Sequence, residues 1–240
     1  MKLQPSLEHE QSLWREGYLC VAGLDEAGRG AWAGPVVAAA IVLPPDPEVA
    51  LRLRGVTDSK QLKPPQRDSL RVRILEVAED WSIGEASAEE IDALGIVAAT
   101  RLAMRRALQK LKRAPQALVI DALTLPEVRL PQRAFPQADA LSLSVAAASI
   151  LAKTSRDALM AELDVQAPGY GFAQHKGYGT RHHAQQLRQL GASRWHRRSF
   201  KPVQHVLSAL PSRVPCAMLN ARSDEDATAG AAREVELGLP

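Results

Sequence analysis

The stretch GLDEAGRGAWAGP, residues 23–35, carries two adjacent carboxylates, Asp25 and Glu26, directly before a Gly-Arg-Gly turn. They follow the apolar run LCVAGL, where a buried strand finishes, and charges so placed are costly unless something binds them. The same grammar recurs downstream. ALVID ends on Asp121, and RAFPQAD reads as a further strand ending at Asp139. Carboxyl ends of strands in α/β sheets are where sites gather. Taken singly, each acid reads as a strand cap or the first residue of a turn. Brought together, with no lysine beside them in sequence, four such acids require cations, and carboxylate oxygens suit Mg²⁺ or Mn²⁺.

Successive side chains of a strand point to opposite faces, so Asp25 and Glu26 share a site only if the chain leaves the regular strand. A bend at Glu26 into AGRG is therefore expected, with the glycines permitting it. The loop would also expose backbone at Gly28, Arg29 and Gly30 to a ligand. GRGAWAG superficially resembles a dinucleotide-binding loop. Its third glycine is misplaced, however, and PVVAAAIVL behind it reads as strand where that fold requires a helix.

These acids need elements to hold them. YLCVAGLD, AGPVVAAAIVLP and WSIGEAS read as strands, and PPQRDSLRVRILEVAED as a helix opened by prolines. Residues 97–112 form an amphipathic pattern. Val97, Thr100, Met104, Ala107, Leu108 and Leu111 share one face; Arg101, Arg105, Arg106, Lys110 and Lys112 share the other, which reads as solvated surface. An alanine-rich helix over 141–163 leads to the loop PGYGFAQHKGYGT and to further helical material ending near residue 210. Strands alternating with helices predict an α/β, mixed-sheet architecture. Residues 1–18 read as an N-terminal segment, 19–210 as the main domain and 211–240, which lack periodicity and aromatics, as a flexible tail.

The bulk numbers agree with one large domain: 240 residues, 46% hydrophobic, net charge +3. Two cysteines without metal or disulfide spacing suit a reducing compartment. The longest apolar run, VVAAAIVL, is far too short to cross a bilayer, so a soluble cytoplasmic protein is expected.

The blocks VAGLDEAGRGAWAGPVVAAAIVLP, TDSKQL, VIDALTLP, DALSLSVAAASILAKTSRD, YGFAQHKGYGT and HRRSFKPV occur in the order of the signature blocks of ribonuclease HII, which the chain resembles over about residues 19–210. The resemblance implies a ribonuclease H-like fold, with a mixed five-stranded sheet flanked by helices and a C-terminal helical part. It implies an endonuclease that hydrolyses the RNA strand of RNA/DNA hybrids and nicks duplex DNA at embedded ribonucleotides; a monomer is expected. Asp25, Glu26, Asp121 and Asp139 would be the catalytic acids, with Mn²⁺ or Mg²⁺ as cofactor. By the same resemblance Gly28, Arg29 and Gly30 contact the ribose 2′-hydroxyl, the group that separates RNA from DNA. Tyr178 would bond that hydroxyl and pack on the next sugar.

Basic groups supply the remaining candidates. Ser59 and Lys60, Lys153, and His175 with Lys176 are candidate substrate contacts, and SRWHRRSF offers further positive surface. Ser149, Lys153 and Arg156 form one stripe of the alanine-rich helix. That stripe reads either as a surface facing the phosphates or the metals, or as an internal hydrogen-bond network. Two positions depart from the family pattern. Gln137 and Ala138 precede Asp139 where many members carry Lys-Gly, and Trp32 stands where smaller residues are common.

Overall fold

The computed structural model describes residues 4–209, so the expected tail, 211–240, lies outside the described residues. The chain enters through α1 (Glu8–Arg15) and lays down β1 (Val21–Ala27) and β2 (Val36–Val42) as an antiparallel pair. After α2 (Val49–Arg52), a 3-10 turn at Ser59–Gln61 and α3 (Pro64–Val77), β3 (Asp80–Ala86) adds antiparallel to β2. Next come α4 (Ala88–Leu94) and α5 (Ile96–Lys110), which lead to β4 (Ala117–Asp121), parallel to β1. β5 (Gln132–Phe135) pairs parallel to β4, giving the sheet order β3-β2-β1-β4-β5. The short α6 (Ala138–Leu141), the long α7 (Leu143–Gln166), and α8 (Phe172–His175), α9 (Arg181–Leu190) and α10 (Lys201–Ala209) complete the described chain.

Both sheet faces are covered, which is why β2 is buried along its whole length and reads as an unbroken apolar run. Ala39 and Ile41 pack with Ile74 of α3 and with Ala147 and Ile150 of α7. Their neighbours Ala38, Ala40 and Val42 pack with Ala103, Met104 and Ala107 of α5 on the opposite face. Each such large side chain contributes about 1.5–3 kcal/mol by leaving water. α7 lies close against β1 because Gly23 has no side chain: a Cβ there would overlap Ser144.

Helix starts follow local chemistry. Two prolines open α3, and Ser87 with Glu90 closes a capping box on α4. Ser142 caps α7 by accepting from the Val145 N–H. Glu10 of α1 reinforces that end. Buried at 1% exposure, it accepts from Ser142 Oγ (2.5 Å), Ser144 N (2.9 Å) and Ser144 Oγ (2.6 Å).

Two sequence expectations need correction. The inward face of α5 is built from Ala99, Thr100, Ala103, Met104 and Ala107, while Val97 is exposed, because small alanines rather than the bulkier Val97 meet the sheet. β5 stops at Phe135, so Asp139 does not end a strand but sits in the first turn of α6. The basic face of α5 is pinned locally: Arg106 bonds Glu90 (2.7 Å) and Lys110 bonds the Ile83 carbonyl (3.0 Å). Among the described residues no helix is long and apolar enough to cross a membrane.

Candidate active site

β1 is paired unequally on its two sides. Its ladder with β2 runs to Ala27↔Val37, whereas its ladder with β4 ends at Leu24↔Ile120. From Asp25 onward, the β4 side of the strand is therefore open. The parallel register, continued by one residue, sets Asp121 beside Asp25. The expected bend at Glu26 is absent: the strand runs on regularly through Ala27 because β2 holds it there. Asp25 lies on the α7 side of β1, next to Ser149, and Glu26 alternates to the other side, yet both feel the charge of Asp121 across the open edge.

Asp25 is 4% exposed and its Oδ1 accepts from the Glu26 N–H at 2.7 Å. Burial first, and then the charges of Glu26 and Asp121, push its carboxyl well above the ordinary carboxylate range, against a hydrogen bond from Ser149. The Ser149 hydroxyl is 2.9 Å from that of Ser59, which ties the 3-10 turn to α7 beside Asp25. Glu26 is raised as well. Burial dominates, Arg29 opposes it across a 3.2 Å ion pair, and Asp121 adds to it. Its second oxygen, Oε2, is buried without a partner.

Asp121 accepts from the Ala138 N–H at 2.8 Å, which ties the end of β4 to the start of α6. Gln137 just before it takes a left-handed conformation, φ 61°. The turn therefore falls on Gln137, and Ala138 occupies the family's glycine position without needing positive φ. Asp139 is buried; burial and then Asp58 raise its carboxyl, while Lys60 opposes them. Lys60 Nζ lies 3.7 Å from Asp139 and 3.9 Å from Asp58. Burial pulls the Lys60 ammonium down, but Asp58, Asp139, Asp25 and Asp121 outweigh it and hold it above its ordinary value. Asp58 is thus a fifth acid at the site. Sequence reasoning missed it although it stands directly before Ser59 and Lys60.

The acids do not close into a ligand set: among the described residues no three acidic, histidine or cysteine side chains stand ready to hold a metal ion. Like charges hold themselves apart, Asp121 turns an oxygen to backbone, and Asp139 turns to Asp58 and Lys60. The donor set nevertheless fits a hard divalent cation. It is all oxygen, carries surplus negative charge, and leaves one buried Glu26 oxygen unsatisfied.

The Gly-Arg-Gly loop follows directly. Gly28 has φ +94°, and a Cβ there would overlap the Arg156 guanidinium. Gly30 is different: it is exposed, and a Cβ on it would meet nothing within 4 Å. Arg156 is fully buried and donates to the carbonyls of Pro35 (2.9 Å), Lys176 (2.9 Å) and Ala33 (3.1 Å). The stripe on α7 therefore divides. Ser149 reaches Asp25, Lys153 pairs with Asp157 at 2.7 Å, and Arg156 belongs to an internal network. Tyr178 is 36% exposed, its ring 5.8 Å from Lys153 Nζ and 5.5 Å from the Arg156 guanidinium carbon. Ser149 and Lys153 are about one helical turn apart, about 6 Å along α7, so one helix borders both the acids and the tyrosine.

Two candidate contacts are placed inside the protein rather than facing a ligand. His175 spends both ring nitrogens on backbone, Nε2 at the Tyr170 carbonyl (2.8 Å) and Nδ1 accepting from Gly177 N (3.2 Å). Ser59 is buried, with its hydroxyl on Ser149. The segment SRWHRRSF is likewise less basic outside than its letters suggest. Arg197 is fully buried, donating to the Gly34 and Arg29 carbonyls, and burial and then Arg156 push it down to about 9. Lys176 reaches the Asp157 carbonyl at 3.2 Å. The Trp32 backbone N–H donates to Gly177 O (2.8 Å), and the Trp32 ring lies where a Gly179 Cβ would go. It stitches the Gly-Arg-Gly loop to the Tyr178 loop.

Acids on an open strand edge, next to a stitched pair of glycine-bearing loops, match what comparison with known proteins finds. The sequence profile of the family Ribonuclease HII matches residues 22–203. The chain belongs to the ribonuclease HII family. The ribonuclease HII of Desulfitobacterium hafniense strain Y51 is 52% identical over 206 residues, covering 86% of this chain and 78% of its own. That of Myxococcus xanthus strain DK1622 is 50% identical over 221 residues, 92% of this chain and 74% of its own. The crystal structure of the ribonuclease H2 from Pyrococcus horikoshii OT3 matches with TM-score 0.64 at 29% identity, over 78% of this chain and 97% of that one. As a member of the ribonuclease HII family the chain is a nuclease of the ribonuclease H type, an endonuclease acting on RNA/DNA hybrids, and its family is metal-dependent.

Proposed function

We propose that this family member both cuts the RNA strand of hybrids and nicks duplex DNA on the 5′ side of embedded ribonucleotides, leaving 3′-hydroxyl and 5′-phosphate ends. The observation that carries the reading is the mutually repelling set of Asp25, Glu26, Asp121 and Asp139, of which Asp25 and Asp139 are buried and Glu26 Oε2 is unsatisfied. These four would hold two Mn²⁺ or Mg²⁺ ions, with Asp58 beside them. The ions, once bound, supply Lewis-acid activation of an attacking water and charge neutralisation at the leaving oxygen.

The protein's own residues do the rest. Strand β1 and the capped start of α6 fix the carboxylates on rigid elements, which position a site better than loops. Asp25 is oriented by the Glu26 N–H, with Ser149 and Ser59 beside it. Lys60 offers the acids a counter-charge and an incoming phosphate a contact, and Lys153 and Lys176 extend that positive surface. Gly28, Arg29 and Gly30 present backbone to the ribose, and the open space at Gly30, which no protein atom fills, suits close approach of the 2′-hydroxyl. Tyr178 would bond the same hydroxyl and lie on the following sugar, so that a deoxyribose there is read by shape.

The deciding experiment uses a DNA duplex with a single ribonucleotide, incubated with Mn²⁺, with Mg²⁺ or with chelator. Nicking 5′ of the ribonucleotide with either metal, and none with chelator, is expected. Asp121→Asn should still bind the duplex and lose most cleavage. Cutting that survives chelation would refute the metal mechanism, and equal cutting of all-DNA duplex would refute the substrate.

A further inference from the structure

The backbone of Tyr178 is held by something the reading above does not use. Its carbonyl accepts from the Thr180 N–H at 2.8 Å and lies 3.0 Å from His183 Nδ1. His183 Nε2 is 3.1 Å from His196 Nε2, and His196 Nδ1 accepts from the Ser193 N–H at 3.0 Å. Both histidines are buried, His183 completely and His196 to 1% exposure. His183 is clamped on its faces and edge, stacked on His175 at 4.4 Å between ring centres and met edge-on by Phe172.

The tautomers follow from these partners. The Ser193 hydroxyl also lies 2.9 Å from His196 Nδ1 and can take either role, but the backbone N–H can only donate to that nitrogen, so a neutral His196 carries its proton on Nε2. A carbonyl oxygen only accepts, so His183 carries its proton on Nδ1 and leaves Nε2 as an acceptor. The two deductions are independent, and together they place one proton between the two Nε2 atoms. The hydrogen bonds therefore run in one direction, from Ser193 N–H through His196 and His183 to the Tyr178 carbonyl.

We infer that His196 and His183 are positioning residues for junction recognition: their directional hydrogen-bond chain holds the Tyr178 backbone, and hence the ring that meets the sugar. The inference rests on the reading of Tyr178 given under the proposed function. Both histidines are shielded from solvent, and His183 approaches the Gly-Arg-Gly loop only through the Trp32 ring, 5.4 Å between ring centres. Their effect is on where the enzyme cuts rather than on whether it cuts.

The test compares kcat/KM on a single-ribonucleotide duplex with kcat/KM on a long RNA/DNA hybrid, under one metal and one pH. In His196→Asn the amide oxygen replaces Nδ1 as acceptor for Ser193, but the Nε2 donor is lost. In His196→Gln an amide donor remains where Nε2 was. The junction-to-hybrid ratio should fall about three- to tenfold in His196→Asn, the range expected for one buried hydrogen bond. Cutting of the long hybrid should stay within about twofold, and His196→Gln should recover the ratio. Equal losses on both substrates, or identical behaviour of the two variants, would show a merely structural role and overturn the inference. Tyr178→Ala separates the layers. An unchanged ratio there removes the Tyr178 reading itself, whereas a changed ratio with a silent His196→Asn removes only the histidine chain. Nitrogen-15 NMR of the unmodified protein gives a check that needs no variant: His196 protonated on Nδ1, or His183 on Nε2, contradicts the chain.

Discussion

Gly28 and Gly30 flank Arg29 in one loop, yet the structure gives their missing side chains different causes, and a pair of alanine substitutions separates them. At Gly28 an alanine would have to hold φ +94° and displace a buried guanidinium. The left-handed backbone costs an L-residue about 1–2 kcal/mol. Moving Arg156 loosens its bonds to the carbonyls of Pro35, Lys176 and Ala33, and loss of even one hydrogen bond to a buried charge costs about 1.5–3 kcal/mol. Gly28→Ala should therefore destabilise the protein by about 3–5 kcal/mol, lowering Tm by about 6–20 °C for a domain of this size. Gly30→Ala meets no protein atom, so its stability should change by less than about 0.5 kcal/mol. Crowding of the ribose should instead lower kcat/KM on a single-ribonucleotide duplex by about ten- to a hundredfold. Thermal unfolding and cleavage kinetics on both variants test this. A thermally normal Gly28→Ala, or a Gly30→Ala that cuts the duplex at full rate, would refute the assignment of causes.

Other perturbations reach the remaining parts of the structure. Saturating Mn²⁺ or Mg²⁺, at about a hundred times Kd, should stabilise the fold by about 2.7 kcal/mol, with most of the Tm rise lost in Asp25→Asn; calorimetry with and without chelator measures it. Burial, opposed by backbone hydrogen bonds, sets His183 at about 4; burial and then the neighbouring His183 set His196 at about 3. Both folded values lie below the ordinary 6.5, so the unfolded chain binds protons first, and stability is lost as pH falls from about 6.5 toward about 4. Urea midpoints across that window should drop less in His196→Gln than in the unmodified protein. Replacing Glu10 with alanine strips the start of α7 of three hydrogen bonds and should cost about 2–4 kcal/mol, read by urea unfolding, with cleavage preserved below the unfolding transition.

The acids Asp25, Glu26 and Asp121 were legible because each closes an apolar run of strand length, and strand β1 and β4 do carry them side by side. Asp139 was legible as an acid but not in its placement. RAFPQAD contains no marker for the left-handed Gln137 that ends the extended path and starts α6. The bend at Glu26 follows from alternation alone, whereas the actual solution lies in pairing: the ladder of β1 with β4 ends three residues before its ladder with β2 and opens the edge, which no local pattern records. His175, Ser59 and Arg197 misled for a common reason. Polar letters in loops signal surface, and these three are polar residues serving internal carbonyls, hydroxyls and ring stacks. Asp58 was within sight, since its side chain accepts from Lys60 N and so caps the turn it begins. Its second role beside Asp139 depends on a contact across the fold.

Helix α7 touches three separate systems in succession. Near its first turn it takes Glu10 from the N-terminal helix, at Ser149 it meets the acids, and at Lys153 and Arg156 it underlies the tyrosine loop. A single rod thus acts as the gauge that spaces anchoring, chemistry and selection from one another. Deleting one residue between Ser144 and Ser149 would turn everything beyond it by about 100° and draw it back by about 1.5 Å. All downstream registrations would fail at once, so this helix tolerates exchange of side chains far better than a change of length.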